Sequence, residues 1–112
     1  MPNECVGSVT DDRFDEEVLR HPGTVLVDFF TPHCGPCRMV APVVERLCSE
    51  RSDLKVLKMD ASENPITVAK HGVSFVPTFV LYHAGGKVGQ VCGVQSKAQF
   101  EKWIANSVDG AA

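Results

Sequence analysis

Cys34, Gly35, Pro36 and Cys37 follow closely on an apolar run, Val25-Leu26-Val27-Asp28-Phe29-Phe30. Thiols at positions i and i+3 share a helix face and can close a small disulfide. If the run is a strand and the motif opens a helix, Cys34 stands over the helix N-terminus. There, unpaired N–H groups and the macrodipole favour a thiolate over a thiol. The chemistry open to such a pair is thiol–disulfide exchange. Cys34 would be the attacking sulfur, and Cys37, one turn deeper, would displace the target from the mixed disulfide. Pro36 suits a first helical turn, which needs no N–H from it, and Gly35 leaves the backbone open to a close-lying partner. Asp28 is the other residue that asks for an explanation. A carboxylate buried without a partner costs several kcal/mol or has its pKa raised. Something must justify such burial, unless Asp28 turns to the sheet edge and is solvated.

The elements that must position these residues follow in one pass, and no repeat or low-complexity segment interrupts them. A short strand near Cys5 to Val9 precedes a helix opening around Thr10-Asp11-Asp12, with Phe14, Val18 and Leu19 at helical spacing, ended by His21-Pro22-Gly23. Thr24 to Phe30 reads as a strand covered on both faces. From Pro36 to about Arg51, the spacing of Met39, Val40, Val43, Val44 and Leu47 gives an amphipathic helix, with a kink expected at Pro42. Leu54 to Met59 reads as another buried strand. Asn64-Pro65 starts a helix that stops at Gly72. Pro77 breaks the chain before strand Thr78 to Tyr82, and Gly85-Gly86 turns it into an antiparallel strand, Lys87 to Cys92. Ser96-Lys97-Ala98-Gln99 is a capping box for a last helix carrying Phe100, Trp103 and Ile104 on one face. The order β-α-β-α-β-α-β-β-α implies an α/β fold with a mixed central sheet flanked by helices.

With 112 residues the chain is expected to form a single domain, 1–112, with a core of its own. The net charge of −3, with acids and bases interspersed, provides no footprint for nucleic acid or an anionic membrane. Neither a signal peptide nor a membrane-spanning run is evident, so a cytoplasmic location is expected. Of five cysteines only one pair has a motif spacing. That does not resemble a secreted disulfide framework, and in reducing surroundings a lone C-x-x-C is more often catalytic than structural. A zinc or iron–sulfur site would need a fourth ligand beside Cys34, Cys37 and His33, so no metal is expected.

At this point the residues resemble a family. Val27-Asp28-Phe29-Phe30, Cys34-Gly35-Pro36-Cys37-Arg38-Met39, Ala41-Pro42, Asp60, Val76-Pro77-Thr78 and Gly93 are similar to the thioredoxin pattern, from about Val9 to Val108. The resemblance implies a thioredoxin fold, a five-stranded sheet flanked by four helices. It also implies a reversible Cys34–Cys37 dithiol/disulfide that reduces protein disulfides without a bound cofactor. Asp28 would take a proton from Cys37, directly or through water, with Lys58 as a nearby tuning charge. Pro77 would be cis and face the sulfurs, while the backbone of Val76 pairs with an extended target peptide. Gly35, Pro36, Val76, Pro77, Gly93 and Val94 would form a flat apolar docking patch. The partners implied are disulfide-containing proteins and a thioredoxin reductase, NADPH- or ferredoxin-linked, with the chain acting as a monomer.

His33 departs from the pattern, which usually has tryptophan there. A protonated imidazole beside Cys34 would stabilise the thiolate and make the protein less reducing; alternatively His33 points to water and does little. Two other functions stay open: a more oxidising isomerase or redox sensor, and a docking subunit that binds whatever its redox state. Cys48 is expected to be a small apolar core residue and Cys5 to lie near a mobile terminus. Cys92 is either a plain strand residue or a site of modification beside the docking patch. His21, His71 and His83 read as surface residues.

Overall fold

The structure, a computed structural model, describes residues 5–110. Strands β1 (Gly7–Ser8), β2 (Thr24–Phe30), β3 (Leu54–Asp60), β4 (Thr78–His83) and β5 (Gly86–Cys92) form one sheet in the order β1-β3-β2-β4-β5. The β1·β3 and β2·β3 pairs are parallel, and β2·β4 and β4·β5 antiparallel. The sheet is thus mixed, as the element order implies. Helices α1 (Gly35–Glu50), α2 (Pro65–His71) and α3 (Lys97–Gly110) pack around it with an N-terminal helical segment.

Strand alternation sends the side chains of β2 to two cores. Leu26 joins Val44, Leu47, Val56, Phe79, Phe100 and Ile104 on the α1/α3 face, while Val25, Val27 and Phe29 join Val18, Met59, Val80 and Tyr82 on the other. Asp28 has the parity of Leu26 and therefore faces α1. The capping box before α3 closes as expected: Gln99 N donates to Ser96 Oγ (3.1 Å) and Ser96 N to Gln99 Oε1 (2.8 Å). Such a cap is worth about 1 kcal/mol. Gly72 caps α2 at φ 61°, in the left-handed region that glycine adopts without strain. Pro42 lies within α1, which continues through it.

Four expectations need correction. Only Gly7–Ser8 of the span Cys5 to Val9 pairs as a strand, although Val9 N still donates to Lys58 O (3.0 Å). The first helix is a 3₁₀ turn, Asp11–Arg13, followed by a π-helical turn, Asp15–Leu19, closed by Arg20 N on Asp15 O. The wider π turn changes the angular spacing, so Phe14 and Val18 are buried while Leu19 is 38% exposed. His71 is not a surface residue. It is half-buried, its Nδ1 bonded to Thr67 O and its Nε2 to the Tyr82 hydroxyl, and it packs edge-on against Phe14. Burial lowers its pKa from the ordinary histidine value. His21 and His83 are likewise half-buried, and His83 Nδ1 lies 2.8 Å from Thr24 Oγ1.

The fourth correction concerns the cysteines. Cys5 and Cys48 form a disulfide, with Cα atoms 5.9 Å apart across a sequence separation of 43. Cys48 is buried in the α1/α3 core as expected, yet it is not simply a core residue. Parallel pairing of β1 with β3 lays Cys5 beside the end of α1, a juxtaposition that spacing along the sequence does not reveal.

Candidate active site

The turn between β2 and α1 carries the motif. Cys34 is the N-cap of α1 in extended conformation, and its sulfur accepts from Cys37 N at 3.1 Å. A sulfur that receives a backbone N–H at a helix N-terminus is where thiolate charge is favoured. Pro36 occupies the first turn. The two cysteines form a disulfide with Cα atoms 5.2 Å apart. Their environments differ: Cys37 is buried while Cys34 is half-buried. An incoming thiolate or disulfide therefore reaches Cys34 first.

The loop ahead of β4 approaches from the other side. Cys34 Sγ lies 3.7 Å from Val76 O, and the Val76–Pro77 peptide is cis. Thr78 Oγ1 donates to Phe75 O (2.7 Å) and Gly93 N to Pro77 O (2.8 Å), so side-chain and main-chain bonds both hold the loop. Val76 is half-buried and Pro77 is buried, whereas Val94 is 44% exposed. A Cβ on Gly35 or Gly93 would meet nothing within 4 Å, which leaves the surface beside the sulfurs open; Gly93 also has φ +93°, where other side chains are strained. Of the anticipated patch, then, Gly35, Pro36 and Val94 face outward, Val76 and Gly93 partly so, and Pro77 lies beneath them. Phe75 was missed by the sequence reading. It is 72% exposed beside Val76. An aromatic two residues before a turn proline reads as a core residue until the loop is built.

Asp28 sits behind the cysteines. It is only 7% exposed, and its Oδ1 is buried with no hydrogen-bond partner among the described residues. Its pKa is raised to about 7 by burial, against the opposing pull of Lys58. Lys58 is brought there by register, being the parallel partner of Asp28 in β3, and it holds its Nζ 5.8 Å from the centre of the Phe30 ring. Asp28, Cys37 and Lys58 line one cavity of about 180 Å³ together with Phe30, Thr31, Pro32, Arg38 and Ala41. A water molecule takes roughly 30 Å³ of liquid volume, so the space has room for a hydrated path between carboxyl and sulfur. The solvated-edge alternative for Asp28 is not what the fold adopts. His33 is exposed at the mouth of the motif, and Cys92 is an exposed free thiol opposite Thr78 in the β4·β5 register.

Comparison with known proteins agrees with this geometry. The chain matches the family model described as Thioredoxin over residues 5–106. It is 41% identical over 100 residues to a thioredoxin of Porphyra purpurea, covering 88% of this chain and 94% of that protein. Over 103 residues it is 42% identical to thioredoxin 1 of Synechococcus elongatus, covering 91% and 92%. A thioredoxin of Rickettsia prowazekii is 38% identical over 104 residues, 92% of this chain and 99% of the relative. A matched length this complete leaves no element of the fold unaccounted for, and the chain belongs to the thioredoxin family of thiol–disulfide oxidoreductases.

Proposed function

We propose that the chain is a general reductant of protein disulfides, cycling as a monomer in a reducing, cytoplasmic compartment. The observation that carries this reading is the asymmetry of the pair: Cys34 is reachable beside the Val76 carbonyl, while Cys37 is buried and shares a cavity with Asp28. In the forward reaction the Cys34 thiolate attacks one sulfur of the target disulfide and the other leaves as a thiolate. Asp28, through the cavity it shares with Cys37, takes the Cys37 proton. The Cys37 thiolate then attacks Cys34 Sγ, releasing the second target thiol and closing the Cys34–Cys37 disulfide. A thioredoxin reductase drawing on NADPH or ferredoxin returns two electrons. A target segment lies extended beside Val76, pairing with its backbone and resting on Gly35, Pro36, Gly93 and Val94, with Lys58 tuning the carboxyl behind them.

The test is the reduction potential of Cys34–Cys37, measured by counting free thiols after equilibration in graded dithiol buffers. A strongly reducing value, unchanged by His33→Trp, supports the reductase. One specific observation favours a second reading, a more oxidising isomerase or sensor: His33, exposed beside Cys34, stands where tryptophan is usual. Under that reading His33→Trp lowers the potential by about 30 mV or more, a tenfold change in the equilibrium.

Phe75 adds apolar surface where the target segment enters. Phe75→Ser is expected to raise KM for a protein disulfide about five- to thirtyfold, the equivalent of roughly 1–2 kcal/mol of aromatic surface, with kcat unchanged. Reduction of a small aromatic disulfide too short to reach position 75 should not change. An equal effect on both substrates would point to loop distortion instead.

A further inference from the structure

We propose that Cys5 and Cys48 form a second redox couple, separate from the first and harder to reduce, that locks the segment leading into β1 to the end of α1. The two disulfides lie at opposite ends of one helix: Cys34 caps its N-terminus and Cys48 stands in its last turn. At about 1.5 Å per residue the sulfurs are roughly 20 Å apart. No exchange within one molecule can therefore pass electrons between them.

Their surroundings differ in the direction that sets potential. Reduction of Cys5–Cys48 by an external dithiol begins at Cys5, the exposed residue of the pair, because Cys48 is 7% exposed. The incoming thiolate bonds to Cys5 Sγ, the Cys5–Cys48 bond breaks, and Cys48 leaves with the electron pair and takes a proton. The second thiol of the dithiol then attacks its own sulfur in the mixed disulfide, freeing Cys5 and closing the oxidised reagent. Two electrons and two protons have moved. The leaving thiolate appears at buried Cys48, in a cavity it lines with Leu54 and Val56, and the cations lining the same cavity, Arg13, Arg51 and Lys55, are each already paired with a carboxylate, Glu17 or Asp53. Cys34, by contrast, receives a backbone N–H at a helix N-terminus. Thiolate formation thus helps open the first pair and hinders opening of the second.

The couple has a mechanical consequence too. β1 is two residues long, on the sheet edge, held by its short ladder and the Val9 N to Lys58 O bond. The disulfide closes a loop across 43 positions, long enough for a large loss of unfolded-chain entropy. The protein would keep this bond while Cys34–Cys37 cycles, which lets it hold its N-terminal edge in a compartment reducing enough for its work.

The test uses the full chain equilibrated in oxidised and reduced dithiothreitol, quenched with a maleimide, with modified cysteines assigned by peptide mass. Two steps of two thiols each are expected, Cys34 and Cys37 first, Cys5 and Cys48 at a reduced-to-oxidised ratio at least tenfold higher. In a Cys34→Ser/Cys37→Ser background, dithiothreitol should lower the melting temperature by about 10 °C or more. Adding Cys5→Ser, at the exposed end, should abolish that response. Cys5→Ser alone should still reduce protein disulfides at the rate of the parent, so failure here is distinguishable from failure of the reductase reading. A single coincident step, alkylation of Cys5 and Cys48 before the motif cysteines, or a melting temperature insensitive to dithiothreitol in the double variant would overturn the proposal.

Discussion

Cys37→Ser is expected to leave Cys34 covalently joined to its targets and to lower multiple-turnover disulfide reduction by at least about a thousandfold. Within one molecule Cys37, the proposed resolving residue, sits one helical turn from Cys34, their Cα atoms 5.2 Å apart. Oriented groups of this kind react at effective concentrations far above the millimolar range of thiols added to an assay, which is where the magnitude comes from. Conjugates from the reducing reaction should survive urea, disappear on adding dithiothreitol, and be missing from Cys34→Ser/Cys37→Ser. This variant also separates an enzyme from a redox-indifferent docking subunit. A docking subunit would bind the same partners with the same affinity whether serine or cysteine stands at 37, and no covalent conjugate would be seen.

Asp28→Asn should produce two effects that share one cause. The folded carboxyl titrates at about 7 because burial disfavours its charge, whereas in the unfolded chain it titrates near 3.8. Between those values the native state holds a proton that the unfolded state has released, so stability falls as pH rises through this window. Below about pH 4 the penalty is absent. Above pH 7 it reaches about 4 kcal/mol at most, from a difference of about three pH units. Asparagine carries no such charge. The variant should therefore be more stable than the parent by about 2–4 kcal/mol at pH 8, with the advantage shrinking toward zero at pH 4, when oxidised proteins are unfolded in urea across that range. A stability difference that does not change with pH would contradict the assignment of the charge to Asp28. The same substitution removes the proposed proton acceptor from the cavity shared with Cys37. Release of product from the mixed disulfide should slow by about tenfold to a hundredfold, and the inflection near pH 7 in that step should vanish. A variant that is both more stable and slower is the pattern expected of a group kept in a strained environment for chemistry.

Much of the fold is legible in local sequence because its elements carry strong local signals. The run Thr24–Phe30 is read to the residue, since apolar side chains toward both faces are what a central strand between two helical layers needs. The limits of α1 and α2 follow from a cysteine N-cap, prolines in first turns and a left-handed glycine at a C-terminus. The N-terminal helical segment is misread for a local reason as well: one extra residue per turn displaces Leu19 from the face that its spacing assigns it.

The amino-acid order by itself determined the Cys34–Cys37 pair, the order of attack proposed for it and the presence of a carboxylate that had to be explained. These depend on residues next to one another in the chain and on a helix N-terminus that the chain's own pattern announces. Tertiary structure alone decided which groups share an environment. The parallel register sets Lys58 beside Asp28, the packing of α1 on the sheet brings Asp28 and Cys37 to one cavity, and the loop ahead of β4 places Val76 against Cys34 and Phe75 in solvent. The pairing of β1 with β3 joins Cys5 to Cys48 across 43 positions. Periodicity reports which way a side chain points from its own strand or helix. It holds no information about what a distant segment brings to that face, and burial, charge and disulfide partnership all depend on that second term.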